Sequence, residues 1–229
     1  MLVNVGKLMS HTSTKGGGGV KHPFNPSLVD AWFMSGLSNA DKPGSITGVM
    51  GNEMILKNFA FTSESGFGEG NYEGALVFDG VDDYGICTGL PILDDYTVIC
   101  RREIINKDYY SIASKSTVFG KGAFIFELIQ NRTNHCYSFA ADNQINLYNS
   151  EISWQTKNSY NGSMITMGNG EDTDTLTLGI IRVGDESRRF LHGAIYYFAL
   201  YNKSLTPEEV EEEKVKLENY WEGGKNELA

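Results

Sequence analysis

From Leu28 onward the chain alternates short apolar or β-branched runs with clusters of Gly, Asn, Asp and Ser. The runs LVDAWFMSG (28–36) and MILKNFAFTS (54–63) come first, the second with Met54 and Leu56 on alternate positions and Phe59 and Phe61 after a break. They are followed by ALVFDGVDDYGICTG, YTVICRREII, SIASKST, GAFIFELIQN, CYSFAA, NQINLYN, GSMITMGN, TLTLGIIRVG and LHGAIYYFALYN. About a dozen short strands at this spacing, with turn residues between them, predict an all-β sandwich or barrel and not alternating strands and helices. The stretches SNADKPGSITG (38–48) and SGFGEGNYEG (65–74) read as loops, the first with a Pro43-Gly44 turn.

The pattern changes at both ends. Residues 1–27 contain the run Gly16 to Gly19 and the prolines Pro23 and Pro26, so an extended, flexible arm or linker is expected there, ordered only by docking or left over from expression. The apolar MLVNVGKLM ahead of the glycines favours docking. At the other end SLTPEEVEEEKVKLENYWEGG predicts a helix over 207–222. Thr206 is its N-cap, Pro207 its first residue and Glu209 the third position of a capping box. Val210, Leu217 and Trp221 form its apolar stripe with Tyr220 beside it, the early acids suit the helix dipole, and Gly223 and Gly224 are expected to stop it. The globular domain is therefore placed at 28–229.

A formal charge of -10 argues against nucleic acid, and neither a membrane-spanning stretch nor a secretory leader is read in the chain. Cys87, Cys100 and Cys136 are odd in number, lack CxxC spacing and read as buried thiols in a reducing compartment. His11, His22, His135 and His192 form no metal or triad spacing.

Two segments carry a family resemblance. The run Ala75 to Tyr84, ALVFDGVDDY, resembles an early strand-turn-strand of the concanavalin-A-like lectin/glucanase superfamily, laminin-G-like branch. Phe190 to Glu209 is similar to that family's closing strand and capped helix. The resemblance implies an antiparallel two-sheet jelly-roll over about residues 28 to 222.

In the first segment Asp79-Gly80 permits a tight turn with positive φ, and Asp82 or Asp83 is expected to accept hydrogen bonds from the turn's own amides. The alternative is that Asp79, Asp82 and Asp83 hold Ca²⁺, as several relatives do, although no complete ligand set is visible; the expectation is no cofactor. Glucanase members carry an E-x-D-x-x-E strand that this chain lacks, the nearest run being Glu171 to Thr175, so no catalysis is expected.

For a ligand, sugar rings ask for an aromatic platform beside amides and carboxylates. Asp142, Asn143, Trp154, Gln155, Asn158 and Tyr160 are the candidate ligand-binding residues, the alternative being that Trp154 packs in the core and the amides cap turns. The resemblance extends to decoration and fibre proteins of tailed bacteriophages. It implies a virion component assembled in the bacterial cytoplasm, docked to other virion proteins through the arm, self-associating as a homo-oligomer, trimeric in a fibre, and with affinity for glycans. The alternative is a carbohydrate-binding domain of a bacterial cell-surface or polysaccharide-utilisation protein.

Overall fold

The structure is a computed structural model that describes residues 22–91, 93, 96–105, 110–115, 124–128, 143–146, 152–157, 174–183, 186–188 and 190–225. Its strands are β1 (Leu28–Phe33), β2 (Ser45–Thr47), β3 (Glu53–Lys57), β4 (Gly66–Phe67), β5 (Leu76–Asp79), β6 (Tyr84–Cys87), β7 (Tyr96–Ile104) and β8 (Tyr110–Lys115). These are followed by β9 (Phe124–Leu128), β10 (Asn143–Asn146), β11 (Ile152–Lys157), β12 (Leu176–Leu178), β13 (Ile181–Val183), β14 (Glu186–Arg188) and β15 (His192–Tyr201). The helix α1 (Pro207–Lys225) closes the described chain.

Two antiparallel sheets form a sandwich, as the alternation predicts. The first runs β10-β11-β7-β15-β5-β4 with β1 also on β15; the second runs β2-β3-β6-β12-β8-β9; β13 and β14 make a separate hairpin. Strand β15 is the spine of the first sheet. One edge lies along β7, while the other is shared between β5 at His192 to Ile195 and β1 at Tyr197 to Tyr201.

The core between the sheets draws Trp32, Leu76, Phe78, Val98 and Phe198 from the first sheet and Ile46, Met54, Leu56, Leu176 and Leu178 from the second. The first sheet is covered on its other face too: Ala31, Val77, Ile99, Ala199 and Tyr201 pack with Val210, Leu217 and Trp221 of α1. This second layer explains why β15 is buried from Gly193 through Tyr201 instead of alternating in and out. A register shift between Ile195 and Tyr197 matters here. Ile195 and Phe198 belong to the core between the sheets, so the extra residue of the bulge leaves Tyr196 and Tyr197 together on the helix side.

That pair of tyrosines anchors α1. The Tyr197 hydroxyl donates to Glu218 Oε1 at 2.7 Å, and Tyr196 meets Trp221 edge-on at 5.3 Å. The Arg101 guanidinium lies 4.2 Å from the Trp221 ring centre and pairs with Glu218, while Trp221 Nε1 donates to Gly74 O at 2.8 Å. One turn earlier the buried Glu213 accepts from the Tyr201 hydroxyl and from the Asn25 amide, both at 3.0 Å. The capping box forms as read: Thr206 N–H donates to Glu209 Oε2 at 2.9 Å and Glu209 N–H to Thr206 Oγ1 at 3.2 Å.

Several expectations shift. The helix passes through Gly223 and Gly224 to Lys225, because a glycine costs an existing helix only about 1 kcal/mol. The end of the arm is packed: Phe24 is buried, and its ring lies 6.2 Å from that of Phe33 and 5.6 Å from that of Tyr220. Packed chain therefore begins no later than His22, while residues 1–21 lie outside the described residues. The second predicted strand ends at Lys57, where Asn58 turns the chain at φ 68. The two presumed loops contain β2 and β4. TLTLGIIRVG divides at Gly179, whose φ is 77 and where a Cβ would sit 2.4 Å from the Phe78 ring. Cys87 and Cys100 are buried, and burial pushes both thiols up to about 12; Cys136 lies outside the described residues.

Candidate functional site

The DGVDDY turn is the corner where the chain leaves the first sheet at β5 and enters the second at β6. Its tightness has a visible cause: Gly80 sits at φ 81, and a Cβ there would come within 2.8 Å of the His192 side chain. Asp79 Oδ1 accepts from the amides of Val81 at 2.7 Å and Asp82 at 3.4 Å. Asp83 is buried and reaches back, accepting from Asp79 N–H at 3.0 Å and from the Ser65 hydroxyl at 3.0 Å. Of the two acids expected to accept from turn amides, the role thus falls to Asp83, with Asp79 as its partner; the Asp82 side chain is exposed and takes no hydrogen bond among the described residues. Burial pushes the Asp83 carboxyl up to about 6, and the charges of Asp79 and Asp82 add to the shift against the hydrogen bonds.

Ligand atoms of Asp79, Asp82 and Asp83 lie within 4.8 Å of one another. A calcium ion wants six to eight oxygens; three carboxylates reach six only if all bind through both oxygens, and Asp79 Oδ1 and both Asp83 oxygens already accept from N–H or O–H groups. Turn stabilisation accounts for the geometry of Asp79 and Asp83 without an ion.

A second feature borders this corner. On the outer face of the second sheet, Glu53, Ile55 and Lys57 of β3 are exposed while Met54 and Leu56 point to the core. The register sets Ser45, Ile55, Ile86 and Thr177 in one row across four strands and Lys57 opposite Tyr84 in the next. Ile55 is 37% exposed and Ile86 and Tyr84 partly so, whereas Thr177 is 2% exposed, so the open part of the face spans β2, β3 and β6. Glu53 is fixed there by the hydroxyls of Ser45 at 2.6 Å and Thr47 at 2.7 Å, which hold its carboxyl below the usual range. At the end of the face the Asn58 amide donates to Asp82 O at 2.9 Å, tying β3 to the acid corner. An aromatic ring and an aliphatic row with a polar rim present what the apolar face and hydroxyl edge of a sugar require. Sequence reading passed over this face; its signal was Ile55, an apolar residue on the polar side of an otherwise clean alternation.

The residues expected to bind ligand are divided. Asn143 lies on β10 and Trp154 and Gln155 on β11, paired strands at one margin of the first sheet. Trp154 stands opposite Ile99 and Gln155 opposite Val98, so the two occupy alternate register positions, and Asn143 stands opposite Lys157. Asp142, Asn158 and Tyr160 lie outside the described residues, as do Glu171 to Thr173 of the acidic run.

No protein-family model matches the chain, and no curated protein matches it. Among solved structures it is similar to a mutant of Trypanosoma rangeli sialidase displaying trans-sialidase activity, with 12% identity and a TM-score of 0.42 over 85% of this chain and 33% of that one. This chain spans about a third of that protein's length. A likeness of this degree carries no activity, ligand or partner across. The expectation that the chain is not an enzyme is nevertheless withdrawn, since the absence of one motif does not exclude catalysis. The physical reason is that the missing E-x-D-x-x-E strand speaks to a single arrangement of acids, whereas catalytic groups also converge from separate strands with no short motif.

Proposed function

We propose that this chain is a glycan-binding attachment module of the concanavalin-A-like, laminin-G-like kind, presenting the outer face of its second sheet to saccharide. The observation that carries the reading is the asymmetry of the sandwich. The outer face of the first sheet is occupied by α1 and the segment around Phe24, while the second sheet leaves Ile55, Ile86 and Tyr84 accessible inside a rim of Ser45, Thr47, Glu53, Lys57 and Thr88. The corner ALVFDGVDDY and the capped terminal helix, which resemble that family, support the same assignment. Docking to other virion proteins through the N-terminal arm read at residues 1–27, a homo-oligomeric state and a bacteriophage setting remain part of this proposal.

Binding of the purified chain to immobilised oligosaccharides tests it. Wild type binds, and Tyr84→Ala weakens binding at least about tenfold, the loss of one stacking ring. Equal binding by Tyr84→Ala together with loss in Trp154→Ala would move the ligand to the β10-β11 margin. Release of reducing sugar in the same incubations would add catalysis to the reading.

A further inference from the structure

We infer that the open face of the second sheet selects neutral saccharides and rejects acidic ones, a step that rests on the glycan-binding reading above. The argument is the charge placed around the apolar row. Glu53 is on the face itself, its two oxygens held by Ser45 and Thr47. Asp79 and Asp82 stand at the corner directly before Tyr84, with Asp79 pinned by the Val81 amide. Against these three carboxylates, one on the face and two at its corner, the described residues of β2, β3 and β6 offer one ammonium, Lys57, opposite Tyr84.

Lys57 makes no ion pair among the described residues, and the Asp82 carboxylate takes no hydrogen bond there, so both charges stand free at the rim. A neutral hexose asks for hydrogen-bond acceptors and donors around an apolar platform, and carboxylates and an ammonium serve as both. A uronic or sialic acid brings a further carboxylate into a rim whose described residues are already net negative. It would have to approach a chain with a formal charge of -10. Because two of the three carboxylates are fixed by hydrogen bonds, the rim cannot turn its charge away without breaking them.

The test measures affinity of the full chain for matched oligosaccharides that differ only in a carboxylate, a neutral gluco-, galacto- or manno-oligosaccharide against its uronic or sialylated counterpart. Measurements are made in EDTA and in calcium, at low and at physiological salt. The expected result is neutral binding with the acidic counterpart at least about tenfold weaker, a gap that narrows as salt rises. Asp82→Lys narrows the acidic-to-neutral ratio by about fivefold, the size of one exposed charge pair, and Asp82→Asn by less. Acidic binding within about twofold of neutral in wild type overturns the selectivity while leaving glycan binding in place. Acidic binding that arises only with calcium overturns it as well and moves the acid corner to a metal role. No binding in either panel removes the glycan-binding reading and the selectivity with it.

Discussion

Replacing Asp83 by Asn isolates one carboxyl at the corner between the sheets. Its two bonds are to Asp79 N–H and the Ser65 hydroxyl, both at 3.0 Å. An Asn keeps one acceptor for the amide, and its NH₂ meets a hydroxyl that can turn to accept, so little hydrogen bonding is lost. What disappears is the titration. The folded carboxyl sits at about 6 against an ordinary 3.8, raised first by burial. A carboxyl with a raised folded value binds more protons folded than unfolded across that window. Its contribution therefore favours the fold at low pH and is lost as pH rises through about 6. Between about pH 4.5 and about pH 7.5 the linkage amounts to about 2 kcal/mol unscreened, reduced to about 1 kcal/mol by solvent screening.

The assay is urea unfolding of wild type and Asp83→Asn at both pH values. All other carboxylates cancel in the double difference, which should show wild type losing about 1 kcal/mol more than the variant on going from the acid to the neutral condition. At neutral pH the variant should be as stable as wild type or slightly more so. Identical pH dependence in the two proteins, or a loss above about 3 kcal/mol in the variant at neutral pH, would refute the argument and mark the ionised carboxylate as essential to the corner.

Three further outcomes follow from the packing. Asp30, buried in β1, accepts from the amides of Ala31, Met50 and Asn52 and from the Asn52 side chain at 2.7 to 2.9 Å, so Asp30→Ala should cost about 3 to 5 kcal/mol in urea unfolding by stranding those donors. Trp221→Ala removes the ring that Arg101 and Tyr196 pack against, and should cost about 3 to 5 kcal/mol with α1 becoming sensitive to limited proteolysis before the sheets unfold. Chelation by EDTA should leave the melting temperature within about 1 °C, since Asp79 and Asp83 already accept from amide and hydroxyl donors; a drop beyond about 5 °C would assign the corner an ion.

Much of this architecture was legible from residue order. Met54 and Leu56 pointing inward, the turn at Gly80 and the Thr206–Glu209 cap are local devices whose physics is complete within a few residues. The break at Gly179 was not legible, because what forbids a side chain there is the Phe78 ring, about a hundred residues away along the chain. The pinning of Glu213 was likewise hidden: an acid within an acidic run looks solvated until Tyr201 and Asn25 are brought over it. The open face of the second sheet was hidden too, since only the register joins Ile55 to Ile86 and Lys57 to Tyr84 from separate segments.

The sequence by itself determined that this chain builds short antiparallel strands, where one tight corner falls and how the terminal helix begins, since alternation, turn chemistry and capping act over a few neighbouring residues. Only the tertiary structure decided which sheet is covered twice and which face stays open. That choice depends on where α1 comes to rest, and its resting place is set by the bulge that turns Tyr196 and Tyr197 to one side of the first sheet, a relation between strands that no local pattern records.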